Sequence, residues 1–160
     1  MAVDEAILEA VGRGETLPTL RLYAWEPPCL SLGYSQPAAD VDRAALATHG
    51  WELVRRPTGG RAILHTDELT YSVIGPENGR GLAGSVLESY HTLSDALLEA
   101  LHRLDIPALA LPTPLGGSRA QNGAAEPNGK GPVCFEAPSN YEITVNGKKL
   151  VGSAQARRKE

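Results

Sequence analysis

Cysteine is scarce in this chain. Two residues in 160, Cys29 and Cys134, allow at most one disulfide and exclude the dense cross-linking of small secreted scaffolds. Each is therefore judged as a thiol. Basic charge is not in excess, since 15 Lys and Arg stand against 19 Asp and Glu for a formal charge of -4, and such a balance has no general attraction to phosphate backbones. Nucleic acid is not an expected partner. No apolar run approaches the roughly 20 residues that span a bilayer, and the opening Met-Ala-Val-Asp-Glu-Ala lacks the basic and apolar regions of a signal peptide. A soluble, cytoplasmic chain without a membrane partner is expected. What is present is an ordinary globular balance, 42% hydrophobic and 21% charged, which sets aside collagenous, disordered and coiled-coil classes. The length suits one domain over residues 1–160.

Val3, Ile7, Leu8 and Val11 make one stripe over Met1 to Arg13, ended by Gly12 and Gly14, which predicts an amphipathic helix. Thr19 to Trp25 alternates Leu20, Leu22 and Ala24; Pro27-Pro28 breaks it, and Cys29 to Tyr34 resumes as a second strand. A short helix is expected from Asp40 through Leu46, closed by Gly50. Trp51 to Gly75 reads as strand, Gly-Gly loop, strand. Ser85 and Glu88 form a capping box ahead of a stripe of Tyr90, Leu93, Leu97, Leu98, Leu101 and Leu104. Ile106 to Leu111 returns as a strand, and Pro112 to Pro132, crowded with Gly, Pro, Asn and Ser, reads as a long mobile loop. Tyr141 to Val145 and Lys148 to Val151 flank Asn146-Gly147, a strong hairpin signal. A two-residue turn sets Val145 opposite Lys148, Thr144 opposite Lys149 and Ile143 opposite Leu150, with Lys149 away from the more apolar face. Strands outnumber the three helices without regular βαβ alternation, so the fold class is α+β, a mixed sheet with packed helices.

Three segments carry candidate chemistry. In Arg55-Arg56-Pro57-Thr58-Gly59-Gly60-Arg61-Ala62-Ile63-Leu64-His65, two glycines let backbone N–H groups approach a ligand, and flanking arginines suit a carboxylate, phosphate or thioester carbonyl. The competing reading is a hairpin turn with solvated arginines and a structural His65. Cys134 leaves the Gly/Pro-rich segment at a position that suits an accessible thiol, whereas Cys29 lies in an apolar strand. Its plain alternative is a small buried hydrophobe. Gly147 to Ala154 joins Lys149 to a Gly-Ser-Ala floor at Ser153, where a cation could sit beside a thiolate or an acyl oxygen. The alternative there is a surface lysine paired diagonally with Glu142.

Met-Ala-x-Asp-Glu-Ala, Arg-Arg-Pro-Thr-Gly-Gly-Arg-Ala-Ile-Leu-His, Glu-Leu-Thr-Tyr-Ser-Val and Gly-Lys-Lys-Leu-Val-Gly-Ser-Ala-Gln, in this order, resemble the lipoate-protein ligase A superfamily from Met1 to about Gln155. The resemblance implies the biotin/lipoyl protein ligase catalytic fold and attachment of octanoyl or lipoyl groups to a lysine of lipoyl-domain proteins. Cys-Phe-x-Ala-Pro-Ser-x-Tyr-Glu, here Cys134 to Glu142, resembles the cysteine-dependent octanoyltransferases rather than the ATP-dependent ligases, and Arg61 stands where the ligases usually have a third glycine. A sister group with a Cys-Pro-Gly-Ser-Tyr pattern matches less well. The resemblance implies that Cys134 carries the acyl thioester and that Lys149 lowers its pKa. It further implies that Arg56, Gly59, Gly60, Arg61, His65 and Ser153 form the acyl-binding surroundings. A thioester donor matches a thiolate nucleophile in energy, so no ATP, metal or other cofactor is implied. The implied partners are octanoyl-acyl carrier protein and a lipoyl-domain protein such as the glycine cleavage H protein.

The family resembled usually has a strand ahead of the Met-Ala-x-Asp-Glu-Ala helix and further strands after Ser-Ala-Gln. Measured against it, the fold is expected to be truncated at both ends, with open sheet edges and uncovered apolar faces. The alternatives to octanoyltransferase are an ATP-dependent lipoate-protein ligase and an inactive fragment that binds acyl groups or lipoyl domains.

Overall fold

The computed structural model describes residues 1–111 and 142–158. The expected loop over residues 112–132, and Cys134 with it, lie outside the described residues. Helices α1 (Ala2–Gly12), α2 (Arg43–His49) and α3 (Val86–Arg103) alternate with strands β1 (Thr19–Tyr23), β2 (Cys29–Leu32), β3 (Glu52–Arg55), β4 (Ile63–His65), β5 (Thr70–Ile74), β6 (Leu109–Leu111), β7 (Glu142–Val145) and β8 (Lys148–Val151). Pairing is mixed, as expected of the class, but it falls into three short ladders: β1 with β5, β3-β2-β4, and β6-β7-β8.

The middle ladder corrects the Gly-Gly reading. β3 runs parallel to β2 and β4 antiparallel to it, so Arg55 and His65 end two strands that flank β2 rather than pair with each other. The segment 56–62 therefore crosses over the end of β2 instead of closing a hairpin. The crossing is tight: a Cβ on Gly33, just past β2, would lie 1.9 Å from the Gly60 carbonyl oxygen, and Gly60 itself has φ +94°. Glycine is needed at both positions, one for space and the other for its backbone angle.

Local signals place the helices well. Ser85 and Glu88 exchange hydrogen bonds at 2.7 and 3.2 Å, which closes the capping box of α3. The second helix starts later than Asp40, because Ala38–Asp40 forms a separate 3₁₀ turn and Val41 is extended. Its N-cap is Asp42, whose carboxylate accepts from the Ala45 amide at 2.9 Å. On α3 the fully buried positions are Ser89 and Ser94, the leucines are only half-covered, and Leu104 is 70% exposed at the C-cap.

The β1–β5 ribbon packs α1 on one face through Asp4. Its carboxylate accepts from Arg21 at 2.9 Å, Ser72 at 2.7 Å and the Tyr23 hydroxyl at 3.4 Å. Burial and the Asp4 charge push the Tyr23 phenol up to about 12. The opposite alternation, Leu20 and Leu22, is 66% and 58% exposed. The core is spread over Val11, Cys29, Leu32, Ala62, Ile74, Ala108 and Ile143.

In the β7–β8 hairpin, Asn146 and Gly147 both have positive φ, 50° and 75°, as a type I′ turn demands. Val145 faces Lys148 and Thr144 faces Lys149. Ile143, however, faces Val151 rather than Leu150, because a register shift between Ile143 and Thr144 inserts one residue on β8. Leu150 is consequently 46% exposed while Ile143 is 2% exposed. As the central strand of its ladder, β7 buries Glu142, Ile143 and Thr144 on both faces. The expected division into one apolar and one wet face does not hold here.

Candidate active site

Four of the implied site residues cluster where segment 56–61 crosses β2. Arg56 is 7% exposed, and its guanidinium donates to the carbonyls of Ser31 (3.0 Å), Gly59 (2.9 Å) and Arg61 (2.6 Å), and to Thr58 Oγ1 (3.1 Å) and Ser31 Oγ (3.1 Å). Arg55 donates to the carbonyls of Gly33 and Tyr34 at 2.8 and 2.9 Å. Both guanidinium groups thus bind main-chain carbonyls, and Arg56 binds two hydroxyl oxygens as well. A guanidinium offers five N–H donors in a rigid fork and accepts nothing, so a crossing that turns several carbonyls toward one point is a natural seat for it. The turn is docked further by the Tyr34 amide, which donates to the Thr58 carbonyl at 2.9 Å. Gly59 and Gly60 are exposed and Arg61 is half-buried, while Arg56 holds the turn from behind by the Gly59 and Arg61 carbonyls.

His65 joins the same network from the other side of β2. It is 8% exposed, its Nε2 lies 2.7 Å from Ser31 Oγ, and its Nδ1 bonds the Glu68 carboxylate. Trp25 stacks on the imidazole with ring centroids 4.3 Å apart at 15°. The same Glu68 oxygen accepts from Thr70 Oγ1 at 2.9 Å, and Trp25 Nε1 donates to that hydroxyl at 2.8 Å.

Lys149 and Ser153 occupy a second cluster. Lys149 Nζ lies 2.5 Å from Glu142 Oε1, with side chains 14% and 8% exposed, so the diagonal partner expected for a surface lysine is present but the carboxylate is buried and the lysine largely covered. The Tyr71 hydroxyl and Ser153 Oγ share a hydrogen bond. Burial pushes the Tyr90 phenol up, and the neighbouring Tyr71 and Glu142 add to this against a hydrogen bond with Ser153. Tyr71, Tyr90 and Ser153 thus form one cluster, which Glu142, the partner of Lys149, joins through its charge on Tyr90. Beyond Ser153 the chain is strapped down by Gln155, which accepts from Ser89 Oγ at 3.1 Å, and by Arg157, which donates to the Gly84 carbonyl at 2.8 Å. Among the described residues the free thiol is Cys29, 1% exposed. Burial and the Glu52 carboxylate push its pKa up, the reverse of what a nucleophile needs.

Trp25, Ser31, Glu68, Tyr71 and Tyr90 are not among the site residues expected from the sequence, although Glu68 and Tyr71 lie in the Glu-Leu-Thr-Tyr-Ser-Val motif. Glu68 carried a local signal, three residues after His65; Ser31 carried none, since only the pairing of β2 with β4 brings it to the imidazole. The four motifs that carry the family resemblance prove to be linked by side chains. Asp4 of the first bonds Ser72 of the third, His65 of the second bonds Glu68 of the third, and Tyr71 of the third bonds Ser153 of the fourth.

A family model, the lipoyl protein ligase A/B catalytic domain, matches residues 1–160. The chain belongs to that family. It is 51% identical over 161 aligned residues to an octanoyltransferase LipM from Kyrpidia tusciae, covering 99% of this chain and 57% of the relative. It is 47% identical to the octanoyltransferase LipM of Exiguobacterium sibiricum, covering 98% of this chain and 56% of that one. A crystal structure of a lipoate-protein ligase A bound with ATP superposes with TM-score 0.71 at 27% identity, over 99% of this chain and 56% of the ligase. The biotin/lipoyl ligase fold is thereby established, and the chain spans a little over half the length of the curated relatives it matches. Among the described residues no helix is long and apolar enough to cross a membrane.

Proposed function

We propose that the chain is the acyl-binding and nucleophile-bearing portion, over residues 1–160, of a cysteine-dependent octanoyltransferase. The Cys134 thiolate attacks the octanoyl thioester of acyl carrier protein and expels the carrier thiol. A lysine amine of a lipoyl-domain protein, of which the glycine cleavage H protein is an example, then attacks the acyl-enzyme. An amide forms, and the Cys134 thiol is released as the amine proton leaves. The observation that carries the reading is the likeness to octanoyltransferases at up to 51% identity across almost the whole chain, together with Cys134 in the family's cysteine motif.

The geometry supports the roles given to the described residues. Lys149 is a cation in a largely buried setting, where attraction to a thiolate is stronger than in water, although Glu142 takes up much of its field. Gly59, Gly60 and Arg61 present the turn to the acyl group, Arg56 and His65 support that turn from the interior, and Ser153 lies beside Tyr71 and Tyr90. Acyl carrier and lipoyl-domain partners are both soluble proteins, which suits a cytoplasmic enzyme.

Incubation with octanoyl-acyl carrier protein followed by intact-mass measurement tests the proposal. The expected result is a mass gain of one octanoyl group, lost in Cys134→Ala. Formation of octanoyl- or lipoyl-adenylate from free acid and ATP would instead assign the chain to the ATP-dependent ligases, and acyl binding with no covalent product would leave a binding fragment.

A further inference from the structure

We infer that Glu68, His65 and Ser31 are positioning residues, a hydrogen-bond relay that fixes Arg56 and through it the path of the 57–61 turn. What the turn seats rests on the octanoyltransferase reading, whereas the relay itself rests on geometry. Arg56 has donors only, so at 3.1 Å its Nη1 must give a proton to Ser31 Oγ. The Ser31 hydroxyl proton then has two directions, the Ile63 carbonyl at 3.5 Å or His65 Nε2 at 2.7 Å. The shorter bond is the better one. His65 Nε2 is accordingly an acceptor, its proton resides on Nδ1, and Nδ1 donates to Glu68. One tautomer satisfies every donor in the chain Arg56 to Ser31 to His65 to Glu68.

Glu68 is itself held by Thr70, and Thr70 by Trp25, whose indole covers the imidazole face. The relay thus links β2, β4 and the start of β5 to a guanidinium that grips the Gly59 and Arg61 carbonyls. Its order of atoms is that of a Ser-His-acid triad. It cannot act as one, because Ser31 is 0% exposed and its oxygen accepts from Arg56. The serine is a pivot for the arginine.

Two readouts separate the relay from the transfer chemistry. The first is the ¹⁵N spectrum of His65 in the parent protein, expected to show a neutral ring protonated at Nδ1. A ring protonated at Nε2, whether alone or together with Nδ1, would overturn the relay, as would covalent labelling of Ser31 by a fluorophosphonate. The second is amide exchange at Tyr34, whose acceptor is the Thr58 carbonyl in the turn. Ser31→Ala and Glu68→Ala are expected to speed that exchange by about tenfold or more, the scale of a lost charge-assisted hydrogen bond. Amides at the far end of the β1–β5 ribbon, at Thr19, Leu20, Val73 and Ile74, are expected to stay unchanged. Glu68→Gln keeps the accepting oxygen and is expected to restore most of the protection. Unchanged Tyr34 exchange in both alanine variants refutes the proposal. In transfer assays the same variants are expected to raise KM for octanoyl-acyl carrier protein about tenfold and to move kcat less than twofold. A parent that transfers nothing while the tautomer and exchange results hold would reject the octanoyltransferase reading and leave the relay standing.

Discussion

Replacing Lys149 by methionine is expected to destabilise the fold far more than loss of a surface lysine would. Its Nζ is 2.5 Å from Glu142 Oε1, and the two side chains are 14% and 8% exposed. At that separation the Coulomb attraction is about 7 kcal/mol for an effective dielectric near 20, against about 1.7 kcal/mol in bulk water. The attraction is opposed by the hydration that both ions lose, several kcal/mol for each. The intact pair therefore contributes little net stability. Removing one member is a different matter, because Glu142 keeps its desolvation penalty and loses its cation. The expected cost of Lys149→Met is about 3–5 kcal/mol. The exposed Arg103–Glu99 pair, at 2.9 Å with side chains 78% and 64% exposed, provides the control, where Arg103→Met is expected to cost under about 1 kcal/mol. Replacing both members, as Glu142→Leu with Lys149→Met, is expected to regain most of the loss, because no uncompensated charge then remains. Urea unfolding of the parent, both single variants and the double variant measures each value. A Lys149→Met variant within about 1 kcal/mol of the parent, or strictly additive single effects, would refute the argument from burial.

Three further outcomes are expected. Burial raises the Asp4 pKa, but the Ser72 and Arg21 hydrogen bonds and the Arg21 charge outweigh it together and bring the carboxyl below its ordinary 3.8. The stability that Asp4 contributes is then complete above that value and fades as pH falls toward the folded pKa; Asp4→Asn is expected to flatten this acid limb in urea titrations, and an unchanged limb counts against the network. Cys29, raised by burial and by Glu52, is expected to resist iodoacetamide at neutral pH until denaturant is added, so native-state labelling at Cys29 would contradict its placement. On the octanoyltransferase reading, Lys149→Met is expected to slow alkylation of Cys134 by raising its pKa, whereas Glu142→Gln, which frees the ammonium's field, is expected to speed it. Shifts of the same sign would remove the pair from any role at the thiol.

Much of the fold was legible where the deciding contacts are local. The Ser85–Glu88 box, the Asn146-Gly147 turn and helix α1 each depend on residues within a few positions, and each forms where the pattern puts it, although of the α1 stripe Val11 is buried and Val3 is 53% exposed. Strand partners depend on distant residues. Nothing in Trp51 to Gly75 says that β2 lies between β3 and β4, and on that fact hangs the difference between a hairpin with solvated arginines and a crossing held by a buried one. The same gap hid Ser31, whose meeting with His65 exists only through the β2–β4 register.

Lys149 shows which part of a site such a reading captures. Alternation along the hairpin names Glu142 as a neighbour on its face, and the structure pairs the two. Alternation carries no information about what covers that face. Because β7 is flanked by both β6 and β8 and buried on both sides, Glu142 is held in the interior and Lys149 reaches it from β8 with its side chain 14% exposed, so the pair is largely shielded from water. The medium sets the consequence. A contact worth about 0–1 kcal/mol at a surface becomes one whose rupture costs several kcal/mol. The carboxylate that makes burial of the lysine tolerable also offsets most of its charge, so on the octanoyltransferase reading the balance between the two, rather than the lysine alone, is what a thiolate would feel.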